Sequence, residues 1–290
     1  TGAHDLSSNA TQAEGTDYSA GYCNLTAFNS NGFTVGSTSS TNIINNSGGS
    51  FVAWQWQAGQ GTNNTNTNGT ITSTTSVNAT AGFSIVTFSV PGSGTSDTIG
   101  HGLGAVPQLI ITKSRNNAYS WATYHVSIGN GQRVLLNTTD AAASTTAWNS
   151  TTPTSSVFTI GSSIYGNGNM VAYCWAPVAG FSQFGSYTGN GSSDGPFVYL
   201  GFRPKWLMIK RTDATQNWTI VDTSRDTYNV ANQRLFANSS SSEDQGIPNY
   251  ADLLSNGFKL RDPNVSENAS GGTYIYAAFA ENPFKYANAR

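Results

Sequence analysis

The residues able to act as acids, bases, nucleophiles or ligands are few, and they do not gather in sequence. His101 lies in Gly100-His101-Gly102-Leu103-Gly104, a composition shared with oxyanion loops and phosphate cradles. Those loops need a strand before and a helix after, whereas this run leads to Pro107 and a short apolar segment, so a tight turn is expected. His125 follows Trp121 and Tyr124, with no Ser or Cys and orienting carboxylate beside it, so no catalytic triad emerges. Asp262, Asn264 and Glu267 are closely spaced oxygen ligands that suit a hard cation. They lack the full ladder and glycine of a calcium loop, and read as a solvated turn. Asp222, Arg225 and Asp226 read as a surface ion-pair cluster. The 15 acids offer no favoured pair for glycoside hydrolysis. The sequence therefore predicts no catalytic residue, no cofactor-binding residue, no metal ligand and no enzyme.

Aromatic residues offer the other route to function, because exposed Trp and Tyr stack on sugar rings or anchor protein interfaces. Trp121, Trp148, Trp206 and Trp218 are the candidates. Trp121 and Trp218 occupy equivalent places in two matching segments, which favours a core role. Trp148, in Ala147-Trp148-Asn149-Ser150, has no counterpart and is the expected ligand contact.

The scaffold that must position these groups is sparsely charged. Charged residues make up 10% of the chain against a usual quarter or so, while aromatics reach 12% and the net charge is −2, a combination that argues against disorder. The 13 basic residues are scattered, which argues against a nucleic-acid groove. No run of about 18 apolar residues suggests a membrane span, and residues 1 to 20 are too polar for a signal peptide. Cys23 and Cys174 stand far apart and are expected to be free and buried. Asn-x-Ser/Thr triplets such as Asn24-Leu25-Thr26 are no more frequent than this composition supplies by chance.

Self-similarity is the strongest internal signal. Pro107, Lys113 and Trp121 recur as Pro204, Lys210 and Trp218, all offset by 97 residues. Downstream, Val157-Phe158-Thr159-Ile160 before Met170-Val171-Ala172-Tyr173-Cys174-Trp175 matches Gly257-Phe258-Lys259-Leu260 before Tyr274-Ile275-Tyr276-Ala277-Ala278-Phe279. A third copy of this half, Gly32-Phe33-Thr34-Val35 before Phe51-Val52-Ala53-Trp54-Gln55-Trp56, lies near the start. Ala81-Gly82-Phe83-Ser84 and Ala179-Gly180-Phe181-Ser182 open the two full copies. The expected organisation is a partial repeat at 1–58, a Gly/Asn/Thr linker at 59–80, and full repeats at 81–188 and 189–290. The missing half of the first copy is expected either in a longer parent chain or in strands donated by another subunit.

Leu109-Ile110-Ile111-Thr112 and Leu207-Met208-Ile209 are apolar runs of strand length. Trp54 with Trp56, and Tyr173 with Trp175, are two apart and so project from one sheet face. Clusters such as Gly129-Asn130-Gly131, Gly166-Asn167-Gly168 and Gly189-Asn190-Gly191 supply turns. No long helical periodicity appears. The predicted fold class is all-β, as tandem antiparallel β-sandwich or jelly-roll-like repeats.

His101-Gly102-Leu103-Gly104 with Pro107, Ile110-Ile111-Thr112-Lys113-Ser114-Arg115, Phe184-Gly185-Ser186-Tyr187-Thr188 and Ala277-Ala278-Phe279-Ala280-Glu281-Asn282-Pro283-Phe284-Lys285 together form a recognisable pattern. It resembles a family of repeat-containing virion structural proteins of marine tailed phages, including cyanophages, whose shared domain has no assigned function. The resemblance implies a non-enzymatic role as tail fibre, capsid fibre or decoration. The expected location is the virion or the extracellular space. Expected partners are further copies of the chain, as a homo-oligomer such as a trimer, and other virion proteins, with no nucleic acid, membrane or cofactor. Two other readings stand beside it: an adhesin binding a host receptor or surface glycan, and a subunit of an extracellular filament or surface layer.

Overall fold

The computed structural model describes residues 5–15, 24–36, 44–59, 61–92, 96–161, 168–246 and 249–281. A short hairpin comes first, β1 (Asn24–Asn29) with β2 (Gly32–Gly36), as a two-stranded sheet of its own. Then follow β3 (Asn64–Asn66), β4 (Ser73–Asn78), β5 (Phe83–Val90), β6 (Asp97–Gly100), β7 (Leu109–Ser114), β8 (Ala122–His125), β9 (Gln132–Leu135), β10 (Ala143–Ser144), β11 (Val157–Ile160) and β12 (Gly168–Trp175). The remaining elements are β13 (Ser182–Thr188), β14 (Phe197–Tyr199), β15 (Pro204–Arg211), β16 (Trp218–Asp222), β17 (Leu235–Phe236), β18 (Ala251–Leu254), β19 (Gly257–Leu260), the one-turn helix α1 (Val265–Asn268) and β20 (Thr273–Ala280). The fold is all-β, and the named strands pair antiparallel, as the many short strand-length runs separated by turn residues predict.

Strands run β10-β9-β8-β7-β12-β5-β4-β3 in the first large sheet and β13-β20-β15-β16-β17 in the second. The order β9-β8-β7-β12-β5 thus recurs as β17-β16-β15-β20-β13. A small sheet covers one face of each, β6 with β11 over the first and β14-β19-β18 over the second. Val86, Phe88, Ile110, Met170 and Ala172 of the large sheet meet Ile99, Phe158 and Ile160 of the small one. Leu207, Ile209, Tyr274 and Tyr276 likewise meet Val198, Leu253 and Phe258.

The opposite faces of the two large sheets contribute to a third core, formed by Leu109, Ile111, Trp121 and Trp175 from one and Trp206, Met208, Trp218 and Phe279 from the other. Along β7 and β16 every residue is buried, because each strand is sandwiched on both faces. That is why the sequence shows short unbroken apolar runs there instead of alternation. Burying one such side chain contributes roughly 2 to 3 kcal/mol, so this shared core supplies a large part of the folding energy.

Three expectations about organisation are corrected. Residues 59–80 are not a linker: β3 and β4 extend the first sheet beyond β5. Small hydroxylated side chains do here what aliphatics do elsewhere. Ser73 and Thr75 are buried and donate to Gly100 O at 2.7 Å and Asn64 O at 3.3 Å. The boundary at 188/189 would remove β13, which pairs along its whole length with β20, from the second sheet, so the division lies in the turn before Ser182. Phe51–Trp56 belongs to no ladder among the described residues, although exposure alternates along it as a strand's would.

The junction motif owes its glycine to backbone geometry. Gly82 and Gly180 have φ of +64° and +76°, and a Cβ on Gly82 would press into the Ala176 carbonyl oxygen. Gly129 and Gly191 also take positive φ in their predicted turns, whereas Gly166 and Asn167 lie outside the described residues.

Candidate functional site

His101 and His125 hold their neutral form in the same way. His101, fully buried after β6, directs Nε2 at Thr154 O (3.1 Å) while its Nδ1 accepts from the Leu103 amide (3.2 Å). His125, at the end of β8, directs Nε2 at Tyr276 O (3.0 Å) and accepts from the Ser127 amide at Nδ1 (3.2 Å). Burial lowers the pKa of both, that of His125 to about 4. With both ring nitrogens engaged by the main chain, neither imidazole has one left to activate a nucleophile. His4 and Cys23 lie outside the described residues. Cys174 is buried in β12, and burial pushes its thiol well above the range of a reactive cysteine.

The oxygen-rich segment near α1 does not converge on a cation. Asp262 Oδ1 accepts from the Asn264 amide (2.7 Å), and Asn264 Oδ1 caps the helix by accepting from Ser266 (2.9 Å). Glu267 turns inward instead, and its Oε1 accepts from the Thr219 hydroxyl at 2.7 Å, with Arg234 Nη1 3.9 Å away. Its Oε2 has no hydrogen-bond partner among the described residues, and burial raises its pKa to about 7. Among the described residues no group of His, Cys, Asp and Glu is placed to hold a metal.

The Asp222, Arg225, Asp226 cluster is buried, not superficial as the sequence suggested. Asp222 is 1% exposed, and its Oδ2 accepts from both Arg225 Nε (2.7 Å) and Trp54 Nε1 (3.2 Å). The Arg225 guanidinium lies over the Trp54 ring at 5.7 Å and reaches Glu243 at 3.0 Å. Asp226 Oδ2 accepts from the amides of Asn232 and Gln233 and so shapes the loop after β16. Spacing alone gave the pairing; the depth comes from Trp54, which is distant in sequence.

Trp148 is also corrected. It is 2% exposed, packs edge-on to Tyr124 at 5.8 Å and donates to Gln132 O at 3.2 Å, so it fills the first sandwich core.

The other six tryptophans of the seven collect in the central core: Trp121, Trp175, Trp206 and Trp218 buried, Trp54 and Trp56 partly so. Trp56 stands edge-on to Trp175 (6.2 Å, 77°), Trp206 (5.2 Å, 85°) and Phe279 (5.4 Å, 71°). Trp121 Nε1 donates to Ser7 O at 3.0 Å, and Trp218 Nε1 donates to Leu135 O at 2.9 Å. Alongside, the Glu14 amide donates to Arg115 O (2.7 Å) as the Ala142 amide donates to Thr212 O (2.8 Å). Glu14 adds an ion pair with the Arg115 guanidinium. The same contact is thus made twice, once by the first sheet on residues 7–14 and once by the second sheet on residues 135–142. Sequence reading missed residues 5–15 because they carry little apolar pattern of their own.

Lys113 and Lys210, also equivalent in sequence, are both fully buried and donate to the next residue's carbonyl, Ser114 O and Arg211 O, at 2.7 Å each. Large exposed aromatics occur elsewhere, at Phe197 and Tyr199 of the edge strand β14 and at Tyr228.

Compared with known families, residues 1–283 match one described as a domain of unknown function, DUF7483. No curated protein and no solved structure matches the chain.

Proposed function

The chain belongs to the family of that domain of unknown function, DUF7483, and from this premise we propose that it is a non-enzymatic structural protein of a phage particle, as tail fibre, capsid fibre or decoration. The observation that carries the reading is how the reactive groups of the described residues are used. Both imidazoles and both buried lysines are engaged by the main chain, Glu267 is held through one oxygen by the Thr219 hydroxyl and Asp222 by Arg225 and Trp54, and these contacts hold sheets and loops together. Six indoles do the same for the central core. Rigid β modules of low charge suit a particle exposed to dilution and proteases, and the sequence resemblance to virion proteins of marine tailed phages supports the same role. The modules are tandem repeats of one unit, and the chain acts as a homo-oligomer such as a trimer, on the particle surface or outside the cell. Imaging of an intact particle with density fitted by this fold is the direct test, and particles that lack the chain would overturn the assignment. Light scattering that finds only monomers at micromolar concentration would remove the oligomer.

A second reading, a glycan-binding adhesin, is favoured by Tyr199 and Tyr228, which are 64% and 85% exposed. Flat rings of this exposure can stack on sugars. Glycan-array binding that is lost on Tyr199→Ala or Tyr228→Ala would promote it over the passive role.

A further inference from the structure

Phe51–Ala58 occupies, around the central core, the position that β12 and β20 occupy in the two sheets. Val52-Ala53-Trp54-Gln55-Trp56 matches Val171-Ala172-Tyr173-Cys174-Trp175 in sequence. Trp56 meets both of its counterparts, Trp175 and Phe279, at 6.2 and 5.4 Å. The doubled contact of the two sheets, Trp121 on Ser7 and Trp218 on Leu135, gives residues 5–15 a matching place in the same third position. Three like positions therefore surround one core, and two are complete.

The third differs in its hydrogen bonding. β12 is flanked by β5 and β7, and β20 by β13 and β15, so both edges of each strand are paired. Phe51–Ala58 has no ladder among the described residues; its one main-chain bond there is Gln57 O, which accepts from the Asn78 side chain at 3.2 Å. A segment of alternating exposure, with one face already seated on apolar rings and its main-chain groups other than Gln57 O without a partner among the described residues, is what strand addition requires.

The geometry points to the edge of Phe51–Ala58 as an acceptor for a β-hairpin, supplied by a second polypeptide, with the pattern of β15 and β16. The completed sheets specify that hairpin. β7 sets Ile111 opposite Tyr173 and Leu109 opposite Trp175, and β15 sets Met208 opposite Ala277 and Trp206 opposite Phe279. The donor strand accordingly places an Ile- or Met-sized apolar side chain opposite Trp54 and a Leu- or Trp-sized side chain opposite Trp56. A lysine closes it, burying its stem and capping the next carbonyl as Lys113 and Lys210 do. A tryptophan opens the second strand, and its indole N–H donates to Phe236 O. Phe236 is the counterpart of Leu135, since each pairs with the residue after the tryptophan, or within the same ladder, at Ala122 and Thr219. This inference goes beyond the particle assignment and can fail without it.

The test uses the full chain and a synthetic peptide of the sequence Pro204–Asp222. Saturable binding by fluorescence anisotropy, lost with a scrambled peptide, is the expected result. Register is read by disulfide trapping. In Cys23→Ser protein, Gln55→Cys aligns with Cys174 and Ala278, whose partners are Ile110 and Leu207. A peptide carrying Leu207→Cys should cross-link to it at least tenfold faster than one carrying Lys205→Cys or Ile209→Cys. Equal trapping at all three positions, or no saturable binding by protein of unchanged circular dichroism, would overturn the proposal. Preferential Gln55→Cys homodimers would assign the edge to a second copy instead, and would overturn it equally.

Discussion

His125 Nε2 donates to the main-chain oxygen of Tyr276, at 3.0 Å and across 151 residues, and so ties the end of β8 to the middle of β20. The other ring nitrogen accepts from the Ser127 amide, so both bonds together require the neutral ring: a protonated ring would keep the Tyr276 bond and lose the Ser127 one.

Folding holds the His125 pKa near 4, against an ordinary value of 6.5, so the unfolded chain binds the extra proton first as pH falls. Stability from this group is complete above about pH 6.5 and is lost as pH drops toward 4, by roughly 2 to 4 kcal/mol. His125→Gln keeps a donor but does not titrate. Urea unfolding between pH 7 and 4 should show a shallower loss for the variant, and parallel curves would refute the assignment.

Glu267 has the opposite sign. Its folded pKa of about 7 lies above the ordinary 4.5, so its stabilising effect is full below pH 4.5 and is lost as pH rises through 7. Glu267→Gln retains an acceptor for Thr219. It should match the parent at pH 4 and exceed it by roughly 2 to 4 kcal/mol at pH 8. Thermal melts at the two values decide it, and a variant weaker at pH 8 would show that the charged carboxylate is held by Arg234.

Trp218→Phe keeps the ring in the central core but removes the indole donor to Leu135 O, leaving that carbonyl only the longer bond from the Thr138 amide at 3.3 Å. The expected cost is about 0.5 to 1.5 kcal/mol. Because the carbonyl belongs to β9 of the other sheet, amide exchange should quicken in β8 and β9 as well as in β16. Quickening confined to β16 would mean that the sheets open separately.

Gly82→Ala forces an L side chain into φ +64° and against Ala176 O. A loss of about 1 to 3 kcal/mol is expected in chemical denaturation, with little change in the denaturant slope.

Much of the fold is legible in the sequence. The equivalence of Pro107, Lys113 and Trp121 with Pro204, Lys210 and Trp218 places the two lysines on matching strands and the two tryptophans at the starts of the next pair, and the apolar runs carry strand length directly. What was illegible follows from long-range packing. Asp222 and Arg225 look superficial until Trp54 covers them, and Trp148 looks orphaned until Tyr124 lies against it. Residues 59–80 read as a connector because Ser73 and Thr75 bury hydroxyls, whose satisfaction by Gly100 O and Asn64 O no local pattern announces. Residues 5–15 offer main-chain oxygens rather than apolar side chains to Trp121, and a carbonyl leaves no mark in composition.

The inward faces of β7 and β15 also bear on how such a chain can lengthen or shorten. A unit cut away at the turn before Ser182 would bare Trp206, Met208, Trp218 and Phe279 on one half, and Trp121 and Trp175 on the other, so each half alone would be driven to aggregate. The two large sheets are therefore bound to one another through their ring-lined sides, and a change in the number of sheets is tolerated only where the new side fits those already in place.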